Sequence, residues 1–287
     1  MNYYYNRPQV RFGPGQISPV VKTLIIANVA VFLLQSVLKM FSAETLLITH
    51  FGLVPKMFFT RLHIWQPVTY LFLHGNLMHV LFNMLFLWMF GTEVEQRMGS
   101  RVFTIYYFFC GIGAGLLTLV INSTILLNHT SALVPYGNLI TSWVIPTIGA
   151  SGAVFGVMLA YGMLFPNRMI LLFFIIPVKA IFFVMLIACI EMYYLVFQTQ
   201  GGISNAAHIG GMLFGFLFMR YHSKIMSVID NLVFKNRQAR EKKVLINKQE
   251  DIVRLNAILD KINRDGIHTL TPAEREFLRN HARRNRE

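Results

Sequence analysis

Residues 102–122 read VFTIYYFFCGIGAGLLTLVIN, 21 positions without a charge. A membrane helix needs about 20 mostly apolar residues, and this stretch supplies them. The uncharged run extends further still, with no Lys, Arg, Asp or Glu from Val102 to Asn167. No water-soluble fold leaves that much chain uncharged, so lipid is the expected solvent. Working outward, apolar stretches recur at about 20–38, 76–96, 151–165, 171–197 and 205–221, giving six candidate spans in all. The segment between the first two, from about Phe41 to Gly75, is mixed and carries Lys56, Arg61 and Trp65. That composition suits an interfacial loop, or equally an ordinary extramembrane one.

The whole chain agrees. Of 287 residues 55% are hydrophobic and 14% charged, against about a quarter charged in soluble domains. Residues 1–219 hold four carboxylates, Glu44, Glu93, Glu95 and Glu191, and no Asp. Sixteen of the 26 Lys and Arg fall in residues 220–287. The net charge of +13 therefore reads as a basic tail beside the last apolar segment, and a nucleic-acid reader is not expected. Cys110 and Cys189 lie in apolar stretches and imply no disulfide framework. Residues 1–18 show no apolar stretch with a cleavage site, so no removable signal peptide is expected.

Placing both termini in the cytoplasm puts Arg7, Arg11, Lys22, Arg97, Arg101, Arg168, Lys179 and the tail inside, and only Lys39, Lys56 and Arg61 outside. That distribution follows the positive-inside rule. The expectation is an all-α membrane protein: a cytoplasmic segment (1–19), a six-transmembrane-helix core (20–221) and a basic cytoplasmic tail (222–287). In the tail, Ile252, Leu255, Ile258, Leu259 and Ile262 share one helix face, Gly266 can end that helix, and Thr271-Pro272-Ala273-Glu274 can start another. A helical hairpin is predicted at about 248–284.

Polar groups in membrane helices are costly and need a reason. The candidates are His74, His79, Asn83, Ser151, Glu191 and His208. In the six-span arrangement the second, fourth and sixth helices all run inward. His79, Asn83, Ser151 and His208 all sit near the starts of those helices, hence at one depth below the outer surface. The fourth helix, Ser151–Phe165, is only about 22 Å long against a core of about 30 Å. Its start must lie below the surface, beside a cavity. Such a layer can support acyl transfer. Ser151 is a nucleophile once a base takes its proton, and His208 is a base of suitable strength. A helix N-terminus offers N–H groups and positive dipole to an oxyanion, and His79 and Asn83, four apart, can add donors. Gly152 and Gly156 on the fourth helix and Gly211 and Gly215 on the sixth have the spacing that lets membrane helices approach closely. His208 shares a face with the latter pair. Lone residues of these kinds more often serve plain helix packing.

Taken together, the motifs resemble those of the rhomboid intramembrane serine proteases. Gly149-Ala150-Ser151-Gly152 matches the family's GxSG, Ala207-His208-Ile209-Gly210-Gly211 its AHxxG, and His79 to Asn83 its HxxxN. Gly91 to Gly99, with Glu95 and Arg97 read as a structural pair, resembles the family's turn after the second helix. The resemblance spans about residues 20–220. It implies a Ser151–His208 dyad without a third carboxylate, in keeping with the lack of Asp before residue 220. It also implies an oxyanion hole of the Ser151 N–H, His79 and Asn83, with Gly149, Gly152, Phe155 and Gly211 supporting. Substrates would be single-span membrane proteins entering past the fifth helix and cut near the outer face, with no cofactor and no metal. Glu191 is read as a local hydrogen-bonding residue, or as a gate or water-holding residue.

The sequence departs from the family at Trp65-Gln66, where Trp-Arg is common, and at Phe155, where a Tyr often stacks on the histidine. Phe can still stack. The loop 123–148 is long and could cap the site or bind a partner. The alternative reading is a catalytically silent rhomboid-like protein that binds membrane clients. The tail could bind anionic lipid or another protein. The resemblance places the chain in a bacterial inner membrane.

Overall fold

The computed structural model describes residues 15–127, 143–172, 176–197, 202–266, 268 and 270–284. They are mostly helical and divide into two compact units, Met1–His222 and Ser223–Glu287. Most of the long loop predicted at 123–148 lies outside the described residues.

The first unit opens with α1 (Pro19–Met40). Pro19 sits in the first turn, where its missing N–H leaves no bond unmade. No side chain within α1 caps that turn. The task falls to Glu95, which accepts the N–H of Val20 at 3.1 Å and of Val21 at 3.0 Å. Glu95 also accepts the hydroxyls of Ser18 and Ser100. A carboxylate at a helix N-terminus is electrostatically favoured. The expected Glu95–Arg97 pairing is thus replaced by a cap, and an ion pair forms instead between Arg168 and Glu93 at 2.9 Å.

Residues 41–75 contain α2 (Glu44–Phe51) and α3 (Pro55–Arg61), then two short turns, Gln66–Thr69 and Tyr70–Phe72. Gln66 is buried and sews this segment together. It accepts the Val54 N–H at 3.1 Å and donates to the Thr49 carbonyl at 3.1 Å. Gln35 of α1 does the same for the next stretch, exchanging two hydrogen bonds with the main chain of His74.

Helix α4 (Leu77–Met98) contains one π-helical turn, Leu87–Gly91. Asn76 caps it, its side chain accepting the His79 N–H at 2.8 Å. Helix α5 (Ser100–Leu127) follows and packs on α6 (Ser151–Leu164). Two buried phenols lock this centre: Tyr106 donates to the Gly156 carbonyl and Tyr70 to the Gly111 carbonyl, both at 2.6 Å.

The apolar run 171–197 does not form a single helix. Met169–Leu172 (β1) and Ile176–Lys179 (β2) pair antiparallel, with Met169 opposite Lys179, and α7 begins only at Ala180 (Ala180–Phe197). Pro177 gives the reason, since it lacks an N–H and clashes with the preceding turn of a helix. Periodicity cannot separate strand from helix in a continuous apolar run. Helix α8 (Gly202–Asp265) leaves helical geometry at Tyr221, and its 202–220 stretch belongs to the first unit.

Among the described residues four helices are long and apolar enough to cross a membrane: Pro19–Met40, Leu77–Met98, Ser100–Asn122 and Ala180–Phe197. Helix α6 is apolar but shorter. Large apolar side chains such as Leu33, Phe182 and Val196 stay uncovered on these helices, as a lipid-facing surface requires. The chain is a multi-pass membrane protein.

In the second unit Gly266, at φ +85°, follows α8, and α9 (Pro272–Arg284) begins with reciprocal caps. Thr271 Oγ1 accepts the Glu274 N–H at 3.3 Å, and the Thr271 N–H reaches Glu274 Oε2 at 2.7 Å. Lys261 of α8 adds an ion pair to Glu274 at 3.0 Å.

Candidate active site

Ser151 owes its position to the loop before it. Leu53 and Thr147 exchange two main-chain hydrogen bonds of 2.9 Å, and the Gly149 N–H donates to the Tyr70 carbonyl at 2.9 Å. The 146–149 stretch is therefore pinned to the segment before α4, at Leu53 and at Tyr70. Gly149 has φ +127°, and a β-carbon there would meet His79 Nε2 at 2.7 Å. Both facts demand glycine. Helix α6 then starts at Ser151, preceded by Ala150, which offers no side-chain cap. The first N–H groups of an α-helix have no acceptor within it, so this turn presents free donors.

His208 comes from α8, one turn before Gly211. A β-carbon on Gly211 would stand 1.8 Å from the Gly152 carbonyl oxygen, so α6 and α8 touch backbone to backbone here. That approach brings His208 Nε2 to 2.9 Å from Ser151 Oγ. The Phe155 ring lies flat against the imidazole, with centroids 4.0 Å apart and planes 5° from parallel.

The other ring nitrogen, Nδ1, lies 3.0 Å from Glu191 Oε2. The carboxylate sits off the ring N–H direction, so the contact is a close approach of charge to the ring rather than an aligned hydrogen bond. Asn205, three residues before His208, donates its side-chain N–H to the same oxygen at 2.5 Å. The resemblance implies a dyad without a third carboxylate, and a carboxylate nevertheless lies beside the imidazole. The chain lacks Asp in this region, and the neighbouring carboxylate is that of a glutamate from α7.

A cavity of about 190 Å³ opens beside these groups, its walls including Tyr70, His79, Ile148, Gly149, Ser151 and His208. The Gly75 N–H donates to His79 Nδ1 at 3.4 Å, which assigns the neutral ring's proton to Nε2. That donor points toward Gly149. Asn83 is buried and, among the described residues, lies outside the cavity wall with its Nδ2 unpartnered. His74 meets His79 edge to face at 5.0 Å. Among the described residues no group of three or more His, Cys, Asp or Glu is gathered as metal ligands would be.

A family model described as "Rhomboid domain" matches residues 61–225. The chain belongs to the rhomboid family. It is 32% identical over 171 residues to Rhomboid protein 1, mitochondrial, of Saccharomyces cerevisiae, covering 59% of this chain and 43% of that protein. It is 29% identical over 177 residues to Rhomboid protease GluP of Bacillus subtilis, covering 61% of this chain and 29% of that protein. Over 82 residues it is 35% identical to Rhomboid protease GlpG of Salmonella choleraesuis, covering 29% and 28%. The matched part thus spans less than half the length of each relative.

The rhomboid motifs directed attention to Ser151, His208, His79 and Asn83. They were silent on Tyr70, whose carbonyl holds Gly149 and whose side chain lines the cavity. They were silent on Asn205 as well. Glu191 stood out as a carboxylate in an apolar run, but its partner lies on another helix, beyond the reach of local spacing.

Proposed function

We propose that this rhomboid is an intramembrane serine endopeptidase that cleaves single-span membrane proteins near the outer face. The observation that carries this reading is the 2.9 Å separation of Ser151 Oγ and His208 Nε2 at the wall of a cavity beside an uncapped helix start. Ser151 Oγ attacks the scissile carbonyl carbon while its proton passes to His208 Nε2. The Ser151 N–H and the His79 Nε2–H stabilise the oxyanion, with Asn83 as a further donor once substrate binds. The imidazolium returns the proton to the leaving amine, which departs as the acyl-enzyme forms. Water then attacks that ester, losing a proton to His208, and releases the acid with Ser151 restored.

The supporting topology is six crossings, with α6 and the 202–220 stretch completing the four long spans and both termini in the cytoplasm. In this arrangement the basic tail, residues 222–287, holds the cytoplasmic side and attracts anionic lipid. A bacterial inner membrane fits this orientation. The protease needs no metal or cofactor for these steps.

The test is co-expression of a tagged single-span substrate with wild type and with Ser151→Ala. Removal of the nucleophile is expected to lower cleavage at least about 10³-fold. Equal cleavage by both proteins would overturn the serine mechanism. Client binding retained by both, without cleavage by either, would favour the silent family member.

A further inference from the structure

We infer that Glu191 is a positioning residue for the reaction proposed above: its carboxylate steadies His208 and balances the positive charge that the imidazole acquires when Ser151 attacks. This rests on the protease reading. An ionised carboxylate in a membrane helix persists only where partners offset its loss of water. Glu191 has two, and both lie in the first turns of α8. Asn205 Nδ2 donates to Oε2 and His208 Nδ1 lies 3.0 Å from the same oxygen. The pair is mostly shielded, with side chains 16% and 13% exposed for His208 and Glu191.

The arrangement has a direction. The groups that face His208 are the Ser151 hydroxyl and Phe155 ring from α6, the Glu191 carboxylate from α7 and the His79 imidazole from α4. Phe155 fixes the tilt of the ring but cannot distinguish its two nitrogens. Glu191 can. A carboxylate accepts and never donates, so it favours the tautomer with the proton on Nδ1, and that tautomer leaves Nε2 free to take the Ser151 proton. Once the proton has moved, the imidazolium and carboxylate form a neutral pair in a medium where an uncompensated cation is costly. Asn205 holds the carboxylate in place for both states.

A second role must be separated from this one: Glu191 could merely tie α7 to α8 through Asn205. Glu191→Gln distinguishes them. The glutamine oxygen can still accept from Asn205, so the tie survives while the charge beside His208 is lost. The experiment measures kcat, KM and thermal stability for cleavage of a purified single-span substrate in detergent micelles, with wild type, Glu191→Gln, Glu191→Asp and Ser151→Ala. In a buried serine triad, making the acid neutral lowers kcat about 10⁴-fold. Here the carboxylate is off-axis and partly wet, so we expect Glu191→Gln to lower kcat about 10- to 100-fold, with KM and melting temperature unmoved. Glu191→Asp should restore part of the loss. A Glu191→Gln enzyme within about twofold of wild type in kcat would overturn the inference. So would a kcat loss matched by a fall in stability, which would make Glu191 a helix tie. Wild type no more active than Ser151→Ala would instead remove the protease reading, and this inference with it.

Discussion

His79 and Asn83 are four residues apart and look equivalent as donors in the sequence. The coordinates separate them. His79 walls the cavity and its Nε2 points at Gly149, whereas Asn83 is buried outside that wall. A donor aimed at the developing oxyanion is worth about 10²–10³ in kcat. His79→Ala should therefore lower kcat by about 10²-fold, and Asn83→Ala by less than about 10-fold, in micellar cleavage of the same substrate. Equal losses would mean that Asn83 contributes as much to the hole as His79, and not the lesser share its place outside the wall implies. The candidate residues themselves were legible because a lipid-embedded chain has few polar groups to choose from. Their distances were not. The 2.9 Å between Ser151 and His208 depends on the backbone contact of Gly211 with Gly152, and spacing along one helix says only that such contact is allowed.

Among the secondary elements, the errors fell where apolar character alone had to decide. A run from Leu171 to Phe197 reads as one long span, yet Pro177 and the pairing of β1 with β2 shorten the helix to Ala180–Phe197. The start of α4 was the opposite case, because the Asn76 cap is local chemistry and visible in the chain. The cap of α1 is not local. Glu95 lies 75 positions from Val20 and receives three donors from the start of α1, besides Ser100. Removing it leaves two buried donors, the Ser18 hydroxyl and the Val21 N–H, without acceptors, each costing about 1–3 kcal/mol. The Arg168–Glu93 pair is different, since the Arg168 side chain is 53% exposed and an exposed pair contributes about 0–1 kcal/mol. Glu95→Ala should thus destabilise the protein by about 2–4 kcal/mol and Arg168→Ala by less than about 1 kcal/mol. Reversible unfolding in mixed micelles measures both. A ranking in the other order would show that Glu95 does not hold α1.

For the molecule as a whole, orientation in the bilayer decides which compartment the cavity serves. The fold fixes the cavity at the start of α6 and α8, between the segment 41–75 and the loop 146–149. It does not by itself say which side of the membrane that end faces. Charge does. Lys56 is exposed on α3, at the cavity end, while Lys179 is exposed at the far end of the ribbon, beside the start of α7. Basic loop residues are retained in the cytoplasm, and the larger share of them lies with Lys179, Arg168, Arg97 and Arg101. In a Cys189→Ser background, with Cys110 buried, a membrane-impermeant maleimide applied to intact cells should label Lys56→Cys. It should label Lys179→Cys only after permeabilisation. The opposite pattern would turn the bundle over, open the cavity to the cytoplasm and move the expected cut to the inner face of the substrate, while leaving the chemistry of Ser151 and His208 unchanged.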